Sequence, residues 1–227
     1  MRAVRRDNPF EPLSPASLAP IYEWPGEALR FLGGDFGCLH VVAGCGMGKT
    51  TLLRQIEHRL AAAGAPVMYA CIPVGGHPEP KPPANGAVAL LDETDRLSDR
   101  ALGSLLRRLR QAHCRCVLAG HRQQLAAIVR AGFSAQGLGL KPLVSAERVR
   151  VIFEARVVLA CGPGGPILAG DAAQALLRAS GGNIERCLQI GYEVFEDLDV
   201  LRTITAADIE AALASLGRAL ADDAASR

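Results

Sequence analysis

The run Ala43-Gly44-Cys45-Gly46-Met47-Gly48-Lys49-Thr50 sets small, flexible residues ahead of a lysine and a hydroxyl, the set needed to hold a phosphate chain. Glycine lets a backbone turn tightly and approach an anion closely, so successive N–H groups can point at phosphate oxygens. Lys49 can then reach the β and γ phosphates, the Thr50 hydroxyl can coordinate Mg2+, and Thr51 continues the turn. The strict form of this motif begins with glycine; Ala43 stands there, and a side chain this small is tolerable. Met47 occupies a variable position, and Cys45 lies inside the loop without being needed as a nucleophile. A helix opening after the loop adds its N-terminal partial positive charge. The spacing predicts a site for a purine nucleoside triphosphate with Mg2+.

A second constellation supplies carboxylates. Val88-Ala89-Leu90-Leu91-Asp92-Glu93 is an apolar strand pattern that ends in adjacent acids, at the end of a strand where open α/β sheets place ligands. Asp92 would hold hydrated Mg2+ or one of its waters, and Glu93 would orient and polarise an attacking water. A capped helix start is the other use for such acids. Phosphoryl transfer needs positioning and charge neutralisation more than a covalent nucleophile, so neither cysteine nor serine is required to attack.

These groups need particular elements to carry them, and the hydropathy pattern provides them. Residues 27–32 read as a short helix and residues 39–43 as a strand entering the loop. Leu52, Leu53, Ile56 and Leu60 then share one helical stripe until Gly64. Residues 67–74 return to a strand pattern, which makes a βαβ unit. Residues 75–83 are too proline-dense for a crossover helix. Residues 87–91 form a buried strand, and residues 97–109 a helix with Leu102, Leu105, Leu106 and Leu109 inward and Arg107, Arg108 and Arg110 outward. A strand at 115–119, a helix at 125–130 and a last strand at 137–143 follow. The expected core is α/β, a parallel sheet covered on both faces. Beyond it the pattern is helical, at 145–158, 172–179, 184–198 and 206–220, with Thr205 and Asp208 resembling a capped start. The expected organisation is an irregular arm at 1–19, a nucleotide-binding core at 20–144 and a helical subdomain with a short tail at 145–227.

Of the 227 residues 49% are apolar, enough for a core and against disorder, and the formal net charge is only +2. The distribution is uneven: residues 96–156 hold twelve Arg or Lys against three acids, a net of +9, which leaves −7 elsewhere. That segment can present a basic face. The seven cysteines lack the paired spacing of a structural zinc site and read as reduced and mostly buried. Cys114 and Cys116 fall on one side of a strand. The first twenty residues lack an apolar signal core, and no run reaches bilayer length, so a cytoplasmic protein without direct membrane insertion is expected.

With these motifs in place the chain resembles the AAA+ P-loop ATPases, particularly the bacterial branch of ExeA-like and TniB/TnsC-like ATPases. The resemblance rests on Asn8-Pro9-Phe10, the phosphate loop, Leu90-Leu91-Asp92-Glu93, Val117-Leu118-Ala119-Gly120-His121, Leu140-Lys141-Pro142-Leu143 and Ser180-Gly181-Gly182-Asn183-Ile184-Glu185-Arg186. It implies ATP and Mg2+ as ligands, homo-oligomers, and a C-terminal helical lid. It also implies a polar sensor of the γ phosphate or attacking water at the end of the fourth core strand. His121 is nearest that position, with Arg122 and Gln123 as neighbours that could serve instead. The second-sensor arginine of the family aligns with Glu185, and Arg186 follows one place later, about 100° further round a helix. An arginine finger reaching a neighbouring subunit is implied as well, with Arg130 best placed and Arg148 and Arg150 as alternatives.

The leading expectation is an ATP-dependent switch or assembly ATPase with Lys49, Glu93 and His121 at the reaction, acting with a protein partner in DNA transactions or envelope assembly. A nucleotide-regulated scaffold with little hydrolysis is the runner-up, because Glu185 stands where the lid arginine is expected. Direct DNA binding through Arg107, Arg108 and Arg110 is a separate expectation. A metabolic kinase would use the same phosphate cradle, but the acid pair and the helical lid suit water activation better.

Overall fold

The computed structural model describes residues 8–76, 83–142, 145–198 and 202–225. It divides into two compact units, Ser14–Lys141 and a second made of the chain up to Leu13 together with Pro142–Arg227.

In the first unit, α1 (Pro15–Leu18) and α2 (Gly26–Gly33) lead into β1 (Cys38–Val42), and the phosphate-loop sequence connects β1 to α3 (Lys49–Ala62). β2 (Val67–Cys71), β3 (Val88–Asp92), α4 (Asp99–Gln111), β4 (Arg115–Gly120), α5 (Leu125–Arg130) and β5 (Ala135–Gly139) follow. The five strands form one parallel sheet in the order β2-β3-β4-β1-β5. Parallel neighbours need crossovers, and these place helices on both faces. On one face Leu52, Leu53 and Ile56 of α3 and Phe31 of α2 pack on Leu39, Val41, Leu90 and Val117. On the other, Leu102, Leu105, Leu106 and Leu109 of α4 and Ile128 of α5 pack on Ala89, Leu91, Cys116 and Leu118. Strand alternation sends each strand's residues to both layers, so β1, β3 and β4 are apolar almost throughout.

Among the boundaries that differ from the sequence expectation, two have a clear local cause. The last strand occupies Ala135–Gly139 rather than 137–143, because it pairs along β1 from Cys38↔Ala135 to Val42↔Gly139 and β1 ends at Val42. Leu140 adds one more bond, its N–H donating to Val42 O at 3.1 Å. The helix expected from Leu97 starts at Asp99: a 3-10 turn at Thr94–Arg96 comes first, and the Ser98 hydroxyl accepts from Ala101 N at 3.2 Å. Arg107 and Arg110 are exposed as expected, whereas Arg108 is half-buried. Of the proline-rich connection, residues 77–82 lie outside the described residues.

The second unit packs α6 (Ala146–Cys161), α7 (Gly170–Ser180), α8 (Ile184–Glu196) and α9 (Ala206–Ala225) around Val149, Phe153, Leu176, Ile190, Val194, Ile209 and Leu216. Side-chain caps start the helices: Ser145 accepts from Arg148 N, Asn183 from Arg186 N, and Asp208 takes both the N–H and the hydroxyl of Thr205. Arg202 pairs with Asp208 and holds its carboxyl well below the usual range.

Of the irregular arm expected at 1–19, residues 1–7 lie outside the described residues, and the stretch from Asn8 to Glu11 takes a fixed seat in this unit. Phe10 sits in the helical core, its ring 4.5 Å from that of Phe153 and 6.3 Å from that of Phe195. Asn8 donates to Tyr192 O and Glu196 Oε1, both at 3.0 Å, and Arg156 donates to the carbonyls of Pro9 and Glu11 at 3.2 Å. An apolar ring and two satisfied polar groups give this segment a fixed seat that its prolines alone did not reveal. Residues 14–18 contribute a capped helical turn to the first unit. Among the described residues no helix is long and apolar enough to cross a membrane.

Candidate nucleotide-phosphate site

The C-terminal ends of β1, β3 and β4 lie side by side, with Val42 beside Gly120 and Leu91 beside Leu118. β1 delivers the phosphate loop, β3 delivers Asp92 and Glu93, and β4 delivers His121. In the loop, Gly46 and Gly48 hold φ of 69° and 84°, where an L side chain is strained, and α3 begins at Lys49. The N–H groups of Gly44, Gly46 and Gly48 have no backbone acceptor among the described residues. Backbone N–H groups at a helix start suit a phosphate oxygen.

Lys49 is 6% exposed, and its Nζ donates to the carbonyls of Ala43 and Gly44, each at 3.0 Å. His121 Nδ1 lies 3.4 Å from the same nitrogen. The ammonium is therefore held across the mouth of the loop, with Ala43 contributing its carbonyl as glycine would. The exposed thiol of Cys45 stands 4.0 Å from His121 Nε2. Met47 is half-buried, and Thr51 is exposed on the first turn of α3.

Asp92 is buried. Its Oδ2 accepts from the Thr50 hydroxyl at 2.6 Å and from the Tyr69 hydroxyl at 3.1 Å, while Oδ1 accepts from Glu93 N at 3.0 Å. Two hard oxygen donors, a hydroxyl and a carboxylate, meet beside the phosphate loop. This donor set fits Mg2+, which prefers oxygen and keeps several waters. Bound there with a nucleotide, the ion would neutralise phosphate charge.

Glu93 has φ of 59°, in the left-handed region that a non-glycine residue seldom adopts, and such strain concentrates at functional sites. The turn swings its carboxylate toward β4: Oε2 lies 3.6 Å from His121 Nε2 and 3.3 Å from Arg96 Nη2. Arg96 is itself tied down, donating from Nη1 to Ile72 O at 2.7 Å. His121 thus stands between Lys49 and Glu93, with one ring nitrogen toward each.

Sequence reading missed several contributors. Tyr69, on the neighbouring strand, reaches Asp92, and the Arg54 guanidinium lies over its ring at 3.4 Å. Burial, and then the Asp92 charge, push the Tyr69 phenol well above its ordinary range, so it stays a donor. The available signal was one polar-tipped side chain in an otherwise apolar strand. Asp95 and Arg96, which follow the acid pair, both bond the site's loops.

Arg130 ends α5 and is exposed, lining a cleft of about 340 Å³ between α4 and α5 with Arg107, Asp99, Gln123 and Gln124. Arg186 belongs to the helical unit, where its guanidinium donates to Gln189 Oε1 at 3.3 Å.

The sequence matches no protein-family model, and it matches no curated protein. Its structure does resemble solved ones. The Thermotoga maritima RuvB Holliday junction branch migration motor superposes with a TM-score of 0.57 at 17% identity, covering 84% of this chain and 65% of that one. A variant of the same RuvB gives a TM-score of 0.58 at the same identity and coverage. The chain thus spans 65% of the length of the RuvB it resembles. With its central five-stranded parallel sheet, flanking helices and C-terminal helical region, the chain has the AAA+ P-loop NTPase fold.

Proposed function

We propose that this chain is a Mg2+-dependent ATPase of the AAA+ type, a switch or assembly motor that controls a macromolecular complex. The observation that carries the reading is the placement of Glu93. It is held in a strained turn, its carboxylate facing a histidine that also touches the phosphate-loop lysine. In this reading Lys49 and the loop amides hold the β and γ phosphates. Thr50 and Asp92 hold Mg2+. Glu93 takes a proton from water as the water oxygen bonds to the γ phosphorus and the bond to the bridging oxygen breaks, releasing ADP and phosphate. His121 senses the γ phosphate, and Arg130 serves a neighbouring subunit. The sequence motifs favour the ExeA-like and TniB/TnsC-like branch.

The test is phosphate release from Mg2+-ATP by purified protein, with and without Glu93→Gln. Turnover should fall by about a hundredfold or more, on the scale of losing a general base, while ATP binding persists. Unchanged turnover would remove Glu93 from the reaction, and phosphate transfer to a small acceptor instead of water would identify a kinase.

One observation favours a second reading. Glu93 is paired with Arg96, a contact that competes with water activation and suits a nucleotide-regulated scaffold with little hydrolysis. ATP binding without turnover, even with partners present, would support it.

DNA is proposed as a partner of this same protein. The RuvB it resembles in fold is titled a Holliday junction branch migration motor, and here Arg100, Arg107, Arg110, Arg122 and Arg130 are all exposed on or beside α4 and α5. Binding should weaken steeply with salt and be lost in an Arg107/Arg108/Arg110 triple alanine variant that still binds ATP. No binding at low salt in either nucleotide state would exclude it.

A further inference from the structure

The loop after β3 and the loop after β4 are joined by a side chain that belongs to neither nucleotide motif. Asp95 lies in the turn that follows Glu93, and its Oδ1 accepts from the backbone N–H of His121 at 2.6 Å and from that of Arg122 at 3.4 Å. Arg122 returns a bond, donating from Nη2 to Asp95 O at 3.1 Å. Next to it the buried Thr94 hydroxyl lies 3.1 Å from Ala119 O and 2.8 Å from Gln124 Oε1. These contacts fix the chain on both sides of His121.

Gly120 explains how the carboxylate fits. A Cβ at this position would come 1.8 Å from Asp95 Oδ1 and 2.9 Å from Asp95 Cγ. Gly120 carries no positive φ, so no backbone conformation demands glycine there; space does. The Asp95 carboxylate fills the volume that any other residue 120 would occupy. Nor does Asp95 cap its own turn. Its bonds run across to the β4 loop, and a carboxylate bonding backbone N–H groups is among the stronger hydrogen bonds a side chain can make.

We infer that Asp95 is a positioning residue, which acts through the His121 backbone to hold that imidazole between Lys49 and Glu93, with Gly120 as the vacancy that admits it. The inference rests on the ATPase reading above and deepens it. His121 is exposed and sits in a loop, so without the clamp its ring would sample many placements. A displacement of about 1 Å in a reacting constellation lowers rates by roughly a hundredfold.

The experiment compares wild type, Asp95→Ala, Asp95→Asn, Gly120→Ala and the Asp95→Ala/Gly120→Ala double variant in steady-state phosphate release, with thermal unfolding in parallel. Asp95→Ala should lower kcat by about 10- to 100-fold with KM for ATP nearly unchanged. Asp95→Asn keeps a neutral acceptor at the same distance and should recover part of the loss. Gly120→Ala should show the same kcat defect, and because Asp95→Ala removes the atoms it strikes, the double variant should be no slower than Gly120→Ala alone. A kcat unchanged in Asp95→Ala, or losses that multiply in the double variant, would overturn the inference. Absent turnover in wild type counts against the ATPase reading instead. The clamp is then read from the His121 ring resonances of labelled protein, expected to be single in wild type and Asp95→Asn and heterogeneous in Asp95→Ala. Single resonances in all three would overturn it.

Discussion

The hydroxyl of Thr50 and Oδ2 of Asp92 lie 2.6 Å apart, brought together from 42 residues apart in sequence. The helix start after β1 and the C-terminal end of β3 are thereby locked in one register, and the same carboxylate oxygen carries the bond from Tyr69. In the proposed site the two hydroxyls would have separable roles: Thr50 would bind the ion, and Tyr69 would only orient the carboxylate.

Tyr69→Phe keeps the ring beneath Arg54 and removes one hydrogen bond. The Mg2+ concentration for half-maximal turnover should rise by about tenfold, as for other supporting partners of metal ligands, with nucleotide affinity in EDTA unchanged. Thr50→Ala should raise it further. Equal Mg2+ titrations for wild type and Tyr69→Phe would show that Tyr69 does not orient Asp92.

Lys49→Ala should weaken ATP binding by roughly 10- to 100-fold, since a hydrogen bond to a charged group contributes about 1.5–3 kcal/mol. Lys49 is almost fully enclosed by loop carbonyls, so Lys49→Arg should fail too, its planar fork having no room to fold across the loop. Calorimetric titration with ATP measures both. Full affinity in either variant would contradict the placement of the ammonium.

His40 is fully buried in β1 on the α4 and α5 side of the sheet, and neither ring nitrogen makes a hydrogen bond of ordinary geometry. Burial pushes its pKa below the usual value; the Gln123 side chain and the Asp95 carboxylate act against this but do not reverse it. The unfolded chain therefore takes up a proton near pH 6.5 while the folded chain does not, and stability falls as pH drops below that point. The slope from this one group is at most about 1.4 kcal/mol per pH unit, and it ends at the folded pKa. Urea unfolding between pH 5 and pH 8, values bracketing the free histidine range, should show the decline in wild type and a flatter profile in His40→Leu. Parallel profiles would assign the acid sensitivity elsewhere.

Phe10→Ala should destabilise the helical unit by about 3–5 kcal/mol, the usual cost of an emptied aromatic site. Gly191→Ala tests the same seat from the opposite wall. Its new Cβ would fall 3.0–3.2 Å from three atoms of the Phe10 ring, and the crowding should cost about 1–3 kcal/mol. In the double variant the two effects should be less than additive, because the cavity admits the added methyl. Denaturant unfolding decides this, and strictly additive losses would separate the two sites.

The phosphate loop, Lys49, Thr50 and the Asp92-Glu93 pair were legible because each is local: a short run of fixed residue types between one strand and one helix. The sheet was legible for a related reason, since strands such as Val88–Asp92 are buried on both faces and read as continuous apolar runs. Tyr69, Asp95 and the seat of Phe10 were not legible. Each acts on a partner in another element, Tyr69 on β3, Asp95 on the loop after β4 and Phe10 on α6 and α8, and the sequence around each gives no periodic sign of that partner. Even β5 began two residues and ended four residues earlier than expected, because the length of β1 rather than its own composition sets where its pairing stops.

The hydrogen bond from Asn8 to the Tyr192 carbonyl closes a loop of 184 residues. During synthesis from the N-terminus Asn8 and Phe10 leave the ribosome long before α8 exists, and the whole sheet-bearing unit is made in between. Contacts of such sequence separation are slow to form, because the entropy of closing the loop is lost before the contact returns any free energy. The helical unit should accordingly be the last part to mature, with Phe10 exposed to chaperones until translation has passed Phe195.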